Sequence, residues 1–177
     1  PGEHNLQNFL AASTCSHLVG ISQNQIVKSM KEFKGVEHRL EYVRTINETD
    51  YINDSKATNI DSVIVAINTY KQPIVLILGG FNKGANFRLL LPHIKSSHVR
   101  DIVSYGDAGG QINTALGDAV RSVQVTDLSS AVKKAQLMAA PGDIVLLSPG
   151  CASYDEFSNF EERGNHFKSI IKNIAAS

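Results

Sequence analysis

Apolar positions along the chain follow two different rhythms. Leu6, Phe9 and Leu10 share one helical face, and Gly20 sits where a helix C-terminus favours a residue tolerant of positive φ. Ser22 and Gln25 then have capping-box spacing ahead of Ile26, Val27, Met30 and Phe33, which recur at helical intervals until Gly35. Two helices forming a unit of their own are predicted over residues 1–35. From Leu40 the texture changes to β-rich runs, Tyr42–Ile46 and Tyr51–Asn53, joined by a polar Asn47–Asp50 turn that reads as a hairpin.

Beyond the hairpin, helical and strand patterns alternate. A helix with Val63, Ile67 and Tyr70 on one face precedes the strand Ile74–Leu78, and a helix around Phe87–Ile94 precedes the strand Ile102–Tyr105. A helix near Asp107–Leu116, a short strand Val123–Val125 and a helix carrying Leu128, Val132 and Ala135 come next. The strand Ile144–Leu147 and a closing helical region through Phe157, Phe167 and Ile171 end the series. Continuous apolar strands separated by amphipathic helices indicate a mostly parallel sheet covered on both faces. The expected fold is therefore a doubly wound α/β domain preceded by a short helical segment, with residues 38–177 able to fold independently. In such folds ligands bind at the carboxyl ends of the strands, which points to the loops Gly79–Gly84, Gly106–Gly110 and Ser148–Ser153.

Composition narrows the classes of partner. Seventeen basic residues are matched by seventeen acidic ones, so no broad electrostatic footprint for nucleic acid or an anionic membrane is expected. No apolar run approaches the roughly 20 residues that span a bilayer. Two cysteines, Cys15 and Cys151, are too few for a disulfide scaffold and fit a reducing compartment, the cytoplasm by default. The opening Pro1-Gly2-Glu3-His4 lacks an initiator Met and the regions of a signal peptide, and is expected to belong to a fragment of a longer chain.

Candidate chemistry concentrates in the polar junctions. Asn53-Asp54-Ser55-Lys56-Ala57-Thr58-Asn59 follows a strand and precedes a helix. Thr58 or Asn59 can cap that helix, and Asp54, Lys56 and Thr58 also crowd a terminus that attracts anions; capping and ligand binding both remain open. Gly79-Gly80-Phe81-Asn82-Lys83-Gly84 leaves backbone open to close approach and adds the mobile Lys83 ammonium, as a ligand group or as a solvated lysine on a tight turn. It is not a P-loop, because the lysine precedes the last glycine and Ala85 follows it. Cys151 and Ser153 invite a nucleophile reading, yet no Gly-x-Ser-x-Gly elbow accompanies them and no histidine stands at a spacing that marks a general base. The six histidines are too scattered for a zinc site, and Cys151 reads as a small buried hydrophobe.

Taken in order, Gly2-x-His4-Asn5-x-x-Asn8, His38-Arg39-x-Glu41, Asn53 to Asn59, Gly79-Gly80-x-x-Lys83-Gly84, Ser148-Pro149-x-Cys151-Ala152-Ser153-x-Asp155-x-Phe157 and Asn159-Phe160-Glu161-x-Arg163-Gly164 resemble the Mur ligase family, and within it the branch that adds D-glutamate. The resemblance implies a Rossmann-like carboxyl-terminal domain over residues 36–177, with residues 1–35 as the helical tail of a central ATP-binding domain. It further implies an ATP-dependent amide-forming ligase of peptidoglycan synthesis that is cytoplasmic, monomeric and works through an acyl phosphate. Its small-molecule substrates would be ATP, D-glutamate and UDP-N-acetylmuramoyl-L-alanine, with no nucleic-acid or membrane partner. The P-loop and the Mg2+ ligands would lie outside this chain, which would hold no catalytic or metal-ligating residue and would be inactive alone. Thr58, Lys83, Ser153, Tyr154 and Phe160 match positions around D-glutamate, whereas Asn5, Asn8, Arg39, Asp54 and Lys56 match ATP-binding positions. Asn82 and Asn86 stand where the family usually has aspartates, and Gly150 where alanine is usual. Another amino-acid ligase of the same superfamily, and a non-catalytic nucleotide- or amino-acid-binding module, are the alternatives.

Overall fold

A computed structural model describes residues 3–33 and 35–175, with side chains from Leu6 onward. The chain divides into two compact units, Pro1–Gly35 and Val36–Ser177. The first contains helices α1 (Glu3–Leu18) and α2 (Gln23–Glu32). Ser22 and Gln25 close the capping box at the start of α2, and Phe9 meets Phe33 edge to face with ring centroids 5.4 Å apart.

The second unit is a six-stranded sheet of order β1-β2-β6-β3-β4-β5. Its strands are β1 (Glu41–Ile46), β2 (Thr49–Asn53), β3 (Ile74–Gly79), β4 (Val99–Tyr105), β5 (Arg121–Gln124) and β6 (Ile144–Gly150). Only β1 runs antiparallel to its neighbour; the other pairings are parallel. The expected doubly wound, mostly parallel sheet is thus present. Helices α3 (Ile60–Thr69), α4 (Leu91–Ser96) and α5 (Gly109–Leu116) share one core with Ile74, Leu76, Leu78, Ile144 and Leu146. Helices α6 (Leu128–Met138) and α7 (Phe160–Asn173) share the other with Val75, Ile77, Val145 and Leu147. A strand that is apolar throughout still divides its side chains between two cores by the period of two.

Local chemistry sets the element ends. Asn59, Asp127 and Asn159 accept from the amides of Ser62, Ser130 and Glu162 and so cap α3, α6 and α7. The hairpin turn is tighter than its polar sequence suggests: Asn47 and Glu48 alone form it, both at positive φ, and Thr49 and Asp50 already belong to β2. The single helix expected around Phe87–Ile94 is a 3₁₀ turn, Phe87–Leu90, followed by α4, with Pro92 in its first turn. β4 begins three residues earlier than its apolar run, because Asp101 is buried as an ion pair: Arg100 Nε and Arg121 Nε lie 2.8 Å from its two carboxylate oxygens.

β6 extends through Ser148, Pro149 and Gly150, which the turn-like sequence had placed in a loop. Pairing with β2 ends at Leu147, and the register against β3 shifts between Ile77 and Gly79, so Pro149 meets no regular ladder on either side. The chain crosses from β2 over β6 to β3 through α3 and returns from β5 to β6 through α6. The loops after β3 and β6 consequently leave towards opposite faces and open a crevice at the carboxyl ends of these strands.

Gly164 lies in α7 against the buried His38 ring, where an added Cβ would sit 2.2 Å from His38 Nδ1. Alanine for glycine inside a helix ordinarily stabilises by up to about 1 kcal/mol. Here Gly164→Ala is expected to destabilise by roughly 1–3 kcal/mol, the range for overpacking, as measured by thermal or urea unfolding of the chain.

Candidate functional site

Three loops meet at the crevice. The β3 loop opens on Gly79 and Gly80, both at positive φ, and at Gly80 a Cβ would fall 2.3 Å from the Ala152 carbonyl oxygen. This close approach lets Phe81 and Ala152 exchange backbone hydrogen bonds of 2.9 and 3.1 Å, which staple the β3 loop to the β6 loop. Asn82 shapes the tip: its Oδ1 accepts from the Gly84 and Ala85 amides, and its Nδ2 donates to Gln111 Oε1 at 2.7 Å. Lys83 stands exposed on that tip and joins no ion pair among the described residues.

The β2 loop, Asp54–Thr58, is pinned from both sides. The Asp54 amide donates to the Leu147 carbonyl, the Lys56 amide to the His38 carbonyl, and the Gly150 amide to the Ala57 carbonyl. Asn59 supplies the helix cap, which leaves the partly exposed Thr58 outside that duty. Asp54 is buried, accepting from the Leu40 amide at 3.2 Å and from Ser148 Oγ at 2.8 Å. Burial lifts its carboxyl from the ordinary 3.8 to about 6, while the Ser148 and Leu40 hydrogen bonds and the Arg39 charge oppose the rise. Asp54 and Arg39 form no direct ion pair; Arg39 is exposed, between His38 and Leu40, two non-glycine residues at positive φ.

The first turn of α7 lies against both the β2 and the β6 loops. Phe160 accepts at its carbonyl from Ser55 Oγ, its ring meets His38 edge to face, and Lys56 Nζ lies 4.8 Å from its centroid. One turn on, Arg163 is fully buried. Its Nε donates to Ser55 Oγ at 3.0 Å, one terminal nitrogen to the Ser55 carbonyl at 2.8 Å, and the other to the Ala152 carbonyl at 3.1 Å. That last nitrogen would also lie 3.0 Å from a Cβ at Gly80. Among the described residues no carboxylate pairs with it.

The expected D-glutamate positions Thr58, Lys83, Ser153, Tyr154 and Phe160 lie on these loops and the first turn of α7, with Ser153 buried and Tyr154 exposed. Arg39, Asp54 and Lys56 gather on the β2 side of the same unit. Asn8 is exposed on α1 in the other unit, and the side chain of Asn5 lies outside the described residues. Sequence reasoning missed Arg163, Ser55 and His38 as structural participants. The available signal was the spacing of Phe160, Arg163, Phe167 and Ile171, which sets the arginine on the inward stripe of α7.

Cys151 is buried and its thiol is pushed up to about 12 by desolvation, which suits a hydrophobic packing role and opposes a nucleophilic one. Glu37, His38 and Glu41 form a group with metal-ligand donors, but Lys168 Nζ already hydrogen-bonds both glutamates and supplies their counter-charge. This cluster is an ion-pair network. No helix among the described residues is long and apolar enough to cross a membrane.

The fold is an open, doubly wound α/β domain with its crevice at a topological switch point, where ligands bind in folds of this class. More narrowly, the chain belongs to the Mur ligase family: the model of the Mur ligase glutamate ligase domain matches residues 38–151. It is 46% identical over 176 residues to a UDP-N-acetylmuramoylalanine-D-glutamate ligase of Bacillus mycoides, covering 98% of this chain and 39% of that protein. The same-named ligase of Staphylococcus saprophyticus is 44% identical over 177 residues, with 98% and 39% covered. The chain therefore spans about two-fifths of the length of the relatives it matches. Among solved structures it superposes on UDP-N-acetylmuramate-alanine ligase from Thermotoga maritima with a TM-score of 0.71 at 18% identity, covering 97% of this chain and 38% of that one. The MurF structure from Acinetobacter baumannii gives 0.67 at 16% identity, with 97% and 38% covered. These two likenesses establish the shared fold.

Burial makes the Asp54 carboxyl a weaker acid in the folded protein than in the unfolded chain. The folded protein holds this proton more tightly than the unfolded chain, so the stability it contributes is complete below about pH 3.8 and is lost as pH rises through about 6. Relative to Asp54→Asn, the wild-type chain is expected to lose up to roughly 3 kcal/mol across that window, at about 1.36 kcal/mol for each tenfold change in proton affinity. Urea unfolding of both proteins at several pH values measures the difference; parallel curves would contradict a buried, titrating Asp54.

Proposed function

We propose that this chain is the D-glutamate-gripping part of an ATP-dependent ligase that joins D-glutamate to UDP-N-acetylmuramoyl-L-alanine in peptidoglycan synthesis. The supporting observation is Lys83, an exposed ammonium without an ion-pair partner among the described residues, on a glycine-flanked loop stapled to the loop that carries Ser153. The identity of 43–46% to ligases of that name, over nearly all of this chain, supports the same substrate.

In the proposed reaction the carboxylate of the muramoyl-alanine substrate attacks the γ-phosphorus of ATP, giving an acyl phosphate and ADP. The neutral amine of D-glutamate then attacks the acyl carbon, a proton leaves the nitrogen, and phosphate departs as the amide forms. Residues of this chain act on the second substrate. Lys83 meets a D-glutamate carboxylate, Thr58 and Ser153 offer hydroxyl donors, and Tyr154 and Phe160 flank the carbon chain. Lys56, steadied over the Phe160 ring, faces the nucleotide with Arg39, whose planar fork suits phosphate oxygens, and Asp54, which accepts from ribose hydroxyls. Asn5 and Asn8 enter only through their match to adenine-binding positions of the family. Mg2+ would neutralise phosphate charge, and neither its ligands nor the P-loop would come from the residues of this chain. Holding one substrate in attack geometry still governs the rate, because positioning is a large part of the barrier in such transfers. The protein works as a cytoplasmic monomer, and this chain is inactive alone.

A hydrogen bond to a charged partner contributes roughly 1.5–3 kcal/mol, so Lys83→Ala in the full-length ligase is expected to weaken D-glutamate use by about ten- to a hundredfold. The dependence on ATP should barely change, and arginine should restore activity only in part. Steady-state kinetics with each substrate varied separately decide this. An unchanged D-glutamate dependence in a folded variant would remove Lys83 from the site.

A further inference from the structure

No ligand role is attached to Arg163, although Phe160 of the same motif has a proposed one, and the surroundings of the arginine are unusual. A guanidinium with no solvent exposure ordinarily has a carboxylate beside it, since burying an unpaired charge costs several kcal/mol. Here all three hydrogen bonds end on uncharged oxygens: Ser55 Oγ, the Ser55 carbonyl and the Ala152 carbonyl. Ser55 belongs to the β2 loop that carries Lys56 and Thr58. Ala152 precedes Ser153 and is bridged to Phe81, two residues before Lys83. The absence of a side chain at Gly80 leaves room for the guanidinium beneath the β3 loop. Arg163 itself is anchored on α7 one turn after Phe160, whose carbonyl is tied to the same Ser55. One planar group therefore fixes the mutual spacing of the loops bearing the proposed D-glutamate residues, without reaching the surface on which a ligand would lie.

We propose that Arg163 is the positioning residue of the D-glutamate site. It acts from beneath the floor by setting the distance between the Ser55–Thr58 and Ala152–Ser153 loops, and through the Phe81–Ala152 bridge the height of Lys83. The inference rests on the D-glutamate reading of those loops. Geometry is the operative property: the three bonds need a flat fork with donors in fixed directions, which a compact ammonium lacks even though it carries the same charge. Binding elements displaced by about an ångström can lose a hundredfold in rate.

The test uses the full-length ligase with Arg163→Lys, Arg163→Met, Ser55→Ala and Lys83→Ala measured side by side. Both Arg163 variants should raise the KM for D-glutamate by about ten- to a hundredfold, with the KM for ATP changed less than about twofold. Arg163→Lys should be nearly as impaired as Arg163→Met. Ser55→Ala, which removes one acceptor of the fork and the tie to the Phe160 carbonyl but leaves both Arg163–carbonyl bonds in place, should raise the D-glutamate KM by about three- to tenfold. It decides the matter alone if the Arg163 variants do not fold. A merely structural role would instead lower kcat with the amount of folded enzyme and leave both KM values in place, which would overturn the proposal. Restoration by lysine would also overturn it, because charge and not shape would then be what the loops need. An unchanged D-glutamate KM in Ser55→Ala would do the same. If Lys83→Ala is silent, the D-glutamate reading itself fails; if Lys83→Ala is impaired while the Arg163 and Ser55 variants bind D-glutamate normally, only the positioning role fails.

Discussion

The arrangement of the crevice depends on a buried guanidinium that has no counter-ion among the described residues. Arg163 donates to Ser55 and Ala152, and these residues belong to loops that leave different strands and have no continuous ladder between them at that level. Such loops have weak mutual preferences of their own, because each is rich in residues that tolerate many turns. Three directional hydrogen bonds from a charged donor, each worth more than a neutral one, select a single spacing. The energetic cost of desolvating the cation is offset locally by carbonyl and hydroxyl oxygens.

The sheet makes that tie useful. Because β6 is inserted between β2 and β3, the carboxyl ends of the three central strands deliver three loops to one place, and the helices that follow leave to opposite faces. Glycines at positions 79, 80 and 150 let the backbone turn at positive φ where these ends converge. The opposite end of the sheet is closed by Arg100, Arg121, Asp101 and Asp143, whose ion pairs satisfy buried carboxylates there. One end of the sheet is thus sealed, and the other carries Lys83, which joins no ion pair among the described residues, near the Thr58 and Ser153 hydroxyls.

Much of this was legible in the chain. The runs Ile74–Leu78 and Ile144–Leu147 announce buried parallel strands because nothing polar interrupts them, and Asn59, Asp127 and Asn159 announce helix starts because their side chains compete for free amides. Ser148–Gly150 was not legible as strand, since Pro149 is tolerated only where the ladder to β2 has ended and the register to β3 slips. The hairpin turn was read as four residues because Thr49 and Asp50 look like turn formers, although pairing with Ile46 and Thr45 recruits them to β2. The loops of the candidate site were legible from their glycines and polar residues. Arg163 was not read as buried, because an arginine beside two glutamates on a helix reads as surface; its spacing with Phe160, Phe167 and Ile171 was the one hint of an inward position, and the hydrogen-bond partners that satisfy it come from distant loops.

The most direct measurement is a crystal structure of the full-length ligase with D-glutamate bound. The account predicts a carboxylate oxygen within about 2.7–2.9 Å of Lys83 Nζ, the charge-assisted hydrogen-bond range, with the ligand between the Lys83 and Ser153 loops. It also predicts Arg163 beneath them, still bonded to Ser55 and Ala152 and touching no ligand atom. A ligand bound away from this crevice, or one held directly by Arg163, would contradict it.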